Sequence, residues 1–238
     1  MPDTHRPATD PTADNPGSAD VIGTRARRAR SVHPRNAATL ILWRETARGP
    51  AVLMGRRHAN LRFMPNVMVF PGGRVERADH RASTVSELRP LTRDMLERCA
   101  APSLARALAI AAVRELFEET GLLLGERRDG RIAPDLAAID YLCRAVTPPN
   151  RTMRFNARFL IAPADAAHGA IRGSGELEEL GFFPLDDLHA YPVASITGMI
   201  LGEFRTWLDL TERQRALREL VVYSGKDNRR LERNRSGA

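Results

Sequence analysis

Cysteine is nearly absent from this chain, aromatic residues are few, and lysine is all but missing. Among 238 residues there are two cysteines, two tryptophans, three tyrosines and eight phenylalanines, and Lys226 is the single lysine. Two isolated cysteines, Cys99 and Cys143, can build neither a disulfide framework nor a zinc site, and they suit the reducing cytosol. No apolar run approaches the ~20 residues of a membrane span. The N-terminus lacks the charged-then-apolar layout of a secretory signal, and its four aspartates argue against a transit peptide. A cytoplasmic protein with no membrane partner is therefore expected.

The shortage of lysine leaves almost all positive charge on arginine. Of the net charge of +7, the first 35 residues hold +2 and residues 226–238 hold +3, leaving +2 for the rest. Basic tails attract polyanions weakly. No basic stripe is interleaved with aromatics in the manner of single-strand binders, so no specific nucleic-acid partner is expected.

The composition, 43% hydrophobic, is sufficient for one domain core. Residues 1–34, rich in Pro, Asp, Thr, Ala and Arg without periodicity, read as a disordered tail. Residues 35–224 read as the folded domain, and 225–238 as a basic disordered tail. Strands are expected at 37–44, 50–57, 68–70, 155–161 and 180–184. Helices are expected near 93–99, from Ser103 to Gly121, near 134–142 and over 196–208. Strands mixed with flanking helices point to an α/β/α sandwich around a mixed sheet.

The most specific segment is Arg114-Glu115-Leu116-Phe117-Glu118-Glu119-Thr120-Gly121-Leu122. On a helix, Glu115, Glu118 and Glu119 fall within an arc of about 100°. Like charges so placed repel, and acid at a helix C-terminus opposes the macrodipole. A hard divalent cation reverses that cost, because Mg²⁺ takes oxygen ligands and is shared with substrate phosphates. Ser103 is a plausible N-cap, Gly121 a left-handed C-terminal stop, and Arg114 can pair with Glu118 four residues on. Upstream, Phe70-Pro71-Gly72-Gly73 is a turn at which backbone can approach a ligand closely.

Together the two segments resemble the Nudix box of the Nudix hydrolases, G-x5-E-x7-R-E-U-x-E-E-x-G-U with U aliphatic. The second half matches at every defined position. In the first half, Asp79 stands where the family has glutamate, and Arg114 follows 35 residues later instead of eight, an insertion of 27. A long insert at this point, together with the lead-in from Leu53 to Gly73, is similar to the coenzyme A diphosphatase branch with an interrupted box. The Nudix-like region runs from about Asn36 to about Gly202, with residues 80–102 as the insertion.

The resemblance implies a small-molecule nucleoside-diphosphate-X substrate and Mg²⁺ or Mn²⁺ as cofactor. Glu115, Glu118, Glu119 and the Gly72 carbonyl would hold the metal, and Gly73 would let the strand turn toward the helix. Glu118 or Glu119, with Arg114, would be catalytic. A second acidic cluster, Glu176, Glu178 and Glu179, precedes a segment like the family's late strand, and makes Glu179 or Glu178 a further candidate base. Arg56, Arg57, Arg62 and Arg74 lie near the turn and suit phosphate; Arg56 and Arg57, adjacent on a strand, must face opposite sides. Trp43 and Trp207 read as core and His58 as surface. The resemblance implies cleavage of coenzyme A or an acyl-coenzyme A; the alternatives are ADP-ribose, a dinucleotide or an oxidised nucleotide, or a catalytically silent nucleotide sensor. The insert is expected to form a pocket wall, and homodimers are common in the family.

Overall fold

The aliphatic run Thr39-Leu40-Ile41-Leu42 alternates between two hydrophobic layers, and the domain is built outward from it. A computed structural model describes residues 32–61, 64–225 and 229–231. Strand β1 (Arg35–Arg44) pairs antiparallel with β2 (Ala51–Arg57) and runs parallel to β8 (Phe155–Pro163). β3 (Met68–Val69) borders β2, and β4 (Gly72–Arg74) borders β1. β7 (Asp140–Val146) joins β8, and β9 (Leu177–Pro184) joins β2. β10 (Val221–Ser224) and β11 (Arg229–Leu231) extend the far side, giving a nine-stranded mixed sheet. β11 falls in the stretch expected to be a tail. The rest of both expected tails, and Arg62, lie largely outside the described residues.

One face of the sheet carries Ala38, Leu40, Leu42, Tyr141 and Leu160 and is covered by α1 (Pro90–Glu97) and α2 (Pro102–Thr120). The other carries Ile41, Val52, Met54 and Ile161 and is covered by α3 (Ser195–Leu208). The short helix α4 (Glu212–Leu217) precedes β10 and starts with a capping box in which Thr211 and Gln214 satisfy each other's backbone N–H groups. Trp207 is buried and edge-on to Trp43 at 6.2 Å, so both tryptophans are core, as expected. The expected α/β/α sandwich is present. Among the described residues no helix is long and apolar enough to cross a membrane.

Two local expectations are corrected. The stretch 134–142 is not a helix. Pro134 ends the hairpin of β5 (Gly125–Arg128) and β6 (Arg131–Pro134), whose turn, Asp129-Gly130, has both residues at positive φ. Asp135 Oδ1 then accepts the Ala137 N–H at 3.0 Å, an Asx turn that competes with helix, and Asp140 onward enters the sheet. Likewise Ser103 does not cap α2. Ala101 is the N-cap, Pro102 occupies the first turn, and Ser103 Oγ bonds His80 Nδ1 instead at 3.0 Å.

The insert is part of the core. Leu88, Met95, Leu96 and Ala100 are buried in the cluster beneath α2. Arg106, in the N-terminal half of α2, donates to Glu87, to Thr84 and to the Ala82 carbonyl. The insert thus packs on the half of α2 away from the glutamates. Leu96→Ala should therefore destabilise the protein by about 2–5 kcal/mol, the usual range for a buried leucine. Urea unfolding followed by circular dichroism checks this; a loss below ~0.5 kcal/mol would mean the insert is peripheral.

Candidate active site

The end of α2 and the β4 turn are joined by one guanidinium. Arg114 Nε donates to Asp79 Oδ1 at 3.0 Å, and Nη2 donates to the Arg74 carbonyl at 2.9 Å. Nη1 donates to Glu115 Oε1 at 2.9 Å and to Glu118 Oε2 at 3.0 Å. Burial opposes the charge of Arg114, but the Asp79 and Glu115 pairs outweigh it and raise its pKa. Asp79 is 2% exposed and also accepts the Glu76 N–H at 2.7 Å. It therefore closes the turn and, at the same time, pairs with the arginine.

The paired glycines are explained by close approach. Neither lies at positive φ. A Cβ on Gly73 would sit 2.2 Å from Glu115 Oε1, so only glycine lets that carboxylate lie against the strand. The Gly72 N–H donates to Glu119 Oε2 at 2.9 Å. Gly121 has φ 75° and its N–H caps the Phe117 carbonyl, ending the helix just past the glutamates, as the sequence implies.

Glu119 is 6% exposed. Burial pushes its carboxyl up to about 8, the Gly72 N–H and Arg57 oppose the rise, and the charges of Glu115 and Glu176 add to it. Burial likewise raises the Glu115 carboxyl against the pull of Arg114, with Glu118 and Glu76 contributing. Glu118 is half exposed.

The second acidic cluster divides. Arg56 Nη2 pairs with Glu178 at 3.1 Å and Glu179 at 2.9 Å, while Glu176 is the member whose field reaches Glu119. Arg56 and Arg57 serve different surroundings, as their alternation requires: Arg57 acts on Glu119, and its buried Nε has no hydrogen-bond partner. The Arg74 side chain is exposed and only its carbonyl takes part. His58 lies 3.5 Å from Glu178 at the surface. Sequence reasoning ranked Glu176 below its neighbours and did not separate Arg57 from Arg56; only the β2–β9 register distinguishes them.

Among the described residues, no three His, Cys, Asp or Glu side chains already converge as a metal cage. The donor set nevertheless fits a hard cation. It is all oxygen, and Glu119 is a buried carboxylate with one backbone donor and an acid beside it. Mg²⁺ needs few protein ligands because it keeps its waters.

No family model matches the chain. A Caenorhabditis elegans protein, "Putative nudix hydrolase 7", is 40% identical over 89 residues, which are 37% of this chain and 22% of that protein. The chain thus spans about a fifth of the curated relative it matches. A Nudix hydrolase structure from Alicyclobacillus acidocaldarius shares 25% identity at TM-score 0.56, covering 71% of this chain and 90% of that one. A MutT Nudix hydrolase from Burkholderia pseudomallei is 22% identical at TM-score 0.46, covering 72% and 98%.

The raised Glu119 carboxyl has a consequence for stability. A group protonated in the folded state up to about 8, but only to about 4.5 when unfolded, stabilises fully below the lower value and loses that contribution as pH rises through the higher one. In EDTA, thermal stability should therefore fall between pH 5 and pH 9, and Glu119→Gln should flatten the fall. A wild-type profile no steeper than that of the variant would place Glu119 in water. Arg114 and the three glutamates of its segment gather at the end of α2, in a fold similar to that of the Alicyclobacillus acidocaldarius Nudix hydrolase.

Proposed function

We propose that the protein is a divalent-cation-dependent pyrophosphohydrolase that cleaves the diphosphate of a nucleoside-diphosphate-X substrate. Coenzyme A or an acyl-coenzyme A is the favoured class. The observation that carries the reading is the Arg114 fork, which holds Glu115 and Glu118 beside Glu119 and the glycine turn. A pure binding module has no use for that crowding, which an isolated helix pays for in repulsion. The coenzyme A assignment rests on the interrupted box and its lead-in.

Glu115, Glu118, Glu119 and the Gly72 carbonyl would hold Mg²⁺ or Mn²⁺. When bound, the cation neutralises phosphate charge and lowers the pKa of a water. The protein's own groups do the rest. Arg114 fixes the rotamers of Glu115 and Glu118 and stays protonated throughout. Glu119 or Glu118 would, beyond holding the cation, take part in proton transfer, with Glu176 near Glu119. Arg57, without a side-chain partner at Nε, supplies donors for a phosphate oxygen. Glu179, held by Arg56, is the further candidate base. A cytoplasmic location agrees with the reduced cysteines, Cys99 and Cys143.

The test is a cleavage panel with Mg²⁺ or Mn²⁺ over coenzyme A, acetyl-coenzyme A, ADP-ribose, NADH, diadenosine polyphosphates and nucleoside triphosphates. Preferential release of 3′,5′-ADP from coenzyme A is expected, abolished by EDTA. Glu118→Gln should lower turnover by about 10²-fold or more with an unchanged circular dichroism spectrum. Preference for another substrate keeps the chemistry and discards the coenzyme A class. Near-normal turnover in the variant, or no cleavage at all, overturns the reading.

A further inference from the structure

A groove of about 1070 Å³ opens at the opposite end of α2 from the glutamates. Among the described residues, four arginines line it, Arg98, Arg144, Arg158 and Arg230, with Asn36, Asn156 and the first turn of α2, and no described aspartate or glutamate does. Its volume matches that of small-molecule sites. From Pro102 to Glu115 the helix rises about 20 Å, so the groove and the carboxylates are separate places.

Arg158 carries the argument. It projects from β8, is 1% exposed, and donates only to neutral acceptors. Nη1 donates to Asn36 Oδ1 at 2.7 Å and to the Asn156 carbonyl at 2.8 Å, and Nη2 donates to the Cys99 carbonyl at 3.0 Å. Its Nε and the Asn156 Oδ1 are buried without partners. No described carboxylate pairs with it. A guanidinium is normally buried with an acid, because neutral oxygens return only part of its lost hydration. Arg98, part-exposed at the C-terminal end of α1, likewise makes no side-chain hydrogen bond or ion pair among the described residues.

A second, independent feature has the same sign. The N-terminus of α2 opens on this groove through Ala101 and Leu104. This 19-residue helix has no side-chain cap there and no acid in its first turn. Its positive pole and free amides therefore lack the compensation that a cap or carboxylate normally provides. Uncapped helix amides and an unpaired buried guanidinium at one groove form a cradle for an oxyanion.

We propose that this groove is a second ligand site, which takes the phosphate group of a small molecule. Arg158 and the α2 amides fix the oxyanion, and Arg98 closes over it. The site is independent of the reaction assigned to the glutamates.

The experiment is calorimetric titration of the full chain in EDTA at constant ionic strength, with inorganic phosphate, AMP and, as control, chloride. EDTA leaves the acidic end of α2 repelling these probes, and Glu119→Gln serves as a second check. One saturable site is expected in both wild type and Glu119→Gln. Arg98→Gln should weaken it about tenfold, and Arg158→Lys, which keeps the charge but loses the fork, at least as much. Tighter binding of AMP than of phosphate would identify the ligand as a phosphomonoester, and equal binding as free phosphate; either supports the site. Absence of saturable binding, or affinity unmoved by Arg98→Gln, overturns it. Should Arg158→Lys fail to fold, part-exposed Arg98 decides alone.

Discussion

Everything at the acidic end of α2 depends on the five donors of Arg114. The side chain is 14% exposed and reaches Asp79, Glu115, Glu118 and the Arg74 carbonyl at once. A lysine offers a point charge and cannot span these directions together. Because Asp79 is almost completely buried, removing the arginine would strand an ion in the interior as well as free two glutamates. The same fork joins strand to helix, so the relative position of Gly72 and Glu119 is set by it. Folding and the preparation of the carboxylates are here one interaction.

The long interruption of the box is accommodated by burial. A loop of this length left in solvent would cost closure entropy without return. Here Leu88, Met95 and Leu96 recover that cost by covering the sheet beside α2. The insert was expected to form a pocket wall. That expectation concerned the substrate pocket; Arg98 to Ala101 line the separate arginine groove, at the end of α2 remote from the glutamates.

The parts of the site that were legible are those with fixed spacing on one element: Glu115, Glu118, Glu119, the Gly121 stop, and the glycine pair, of which Gly73 lies against the Glu115 carboxylate and Gly72 against β1. Asp79 was legible as a position and not as a partner, since 35 residues separate it from Arg114. The helix expected at 134–142 failed because an aspartate turn won over apolar spacing, although Asp129-Gly130 just before it is a strong hairpin signal. Arg158 was not legible at all, and Glu176 only as one member of an acidic cluster. One alternates unremarkably on a strand, the other sits in an acidic loop, and only the assembled sheet gives either its neighbours.

The pairing of β1 with β8 runs parallel over nine consecutive rungs, from Arg35 with Phe155 to Trp43 with Pro163. Tension applied along β1 from its N-terminal end would load those rungs in shear, all together, instead of peeling them one at a time. Such a geometry resists pulling far better than a hairpin of equal length. A degradation motor drawing on that end would meet its highest mechanical barrier at once, in the strand that supports the glycine turn.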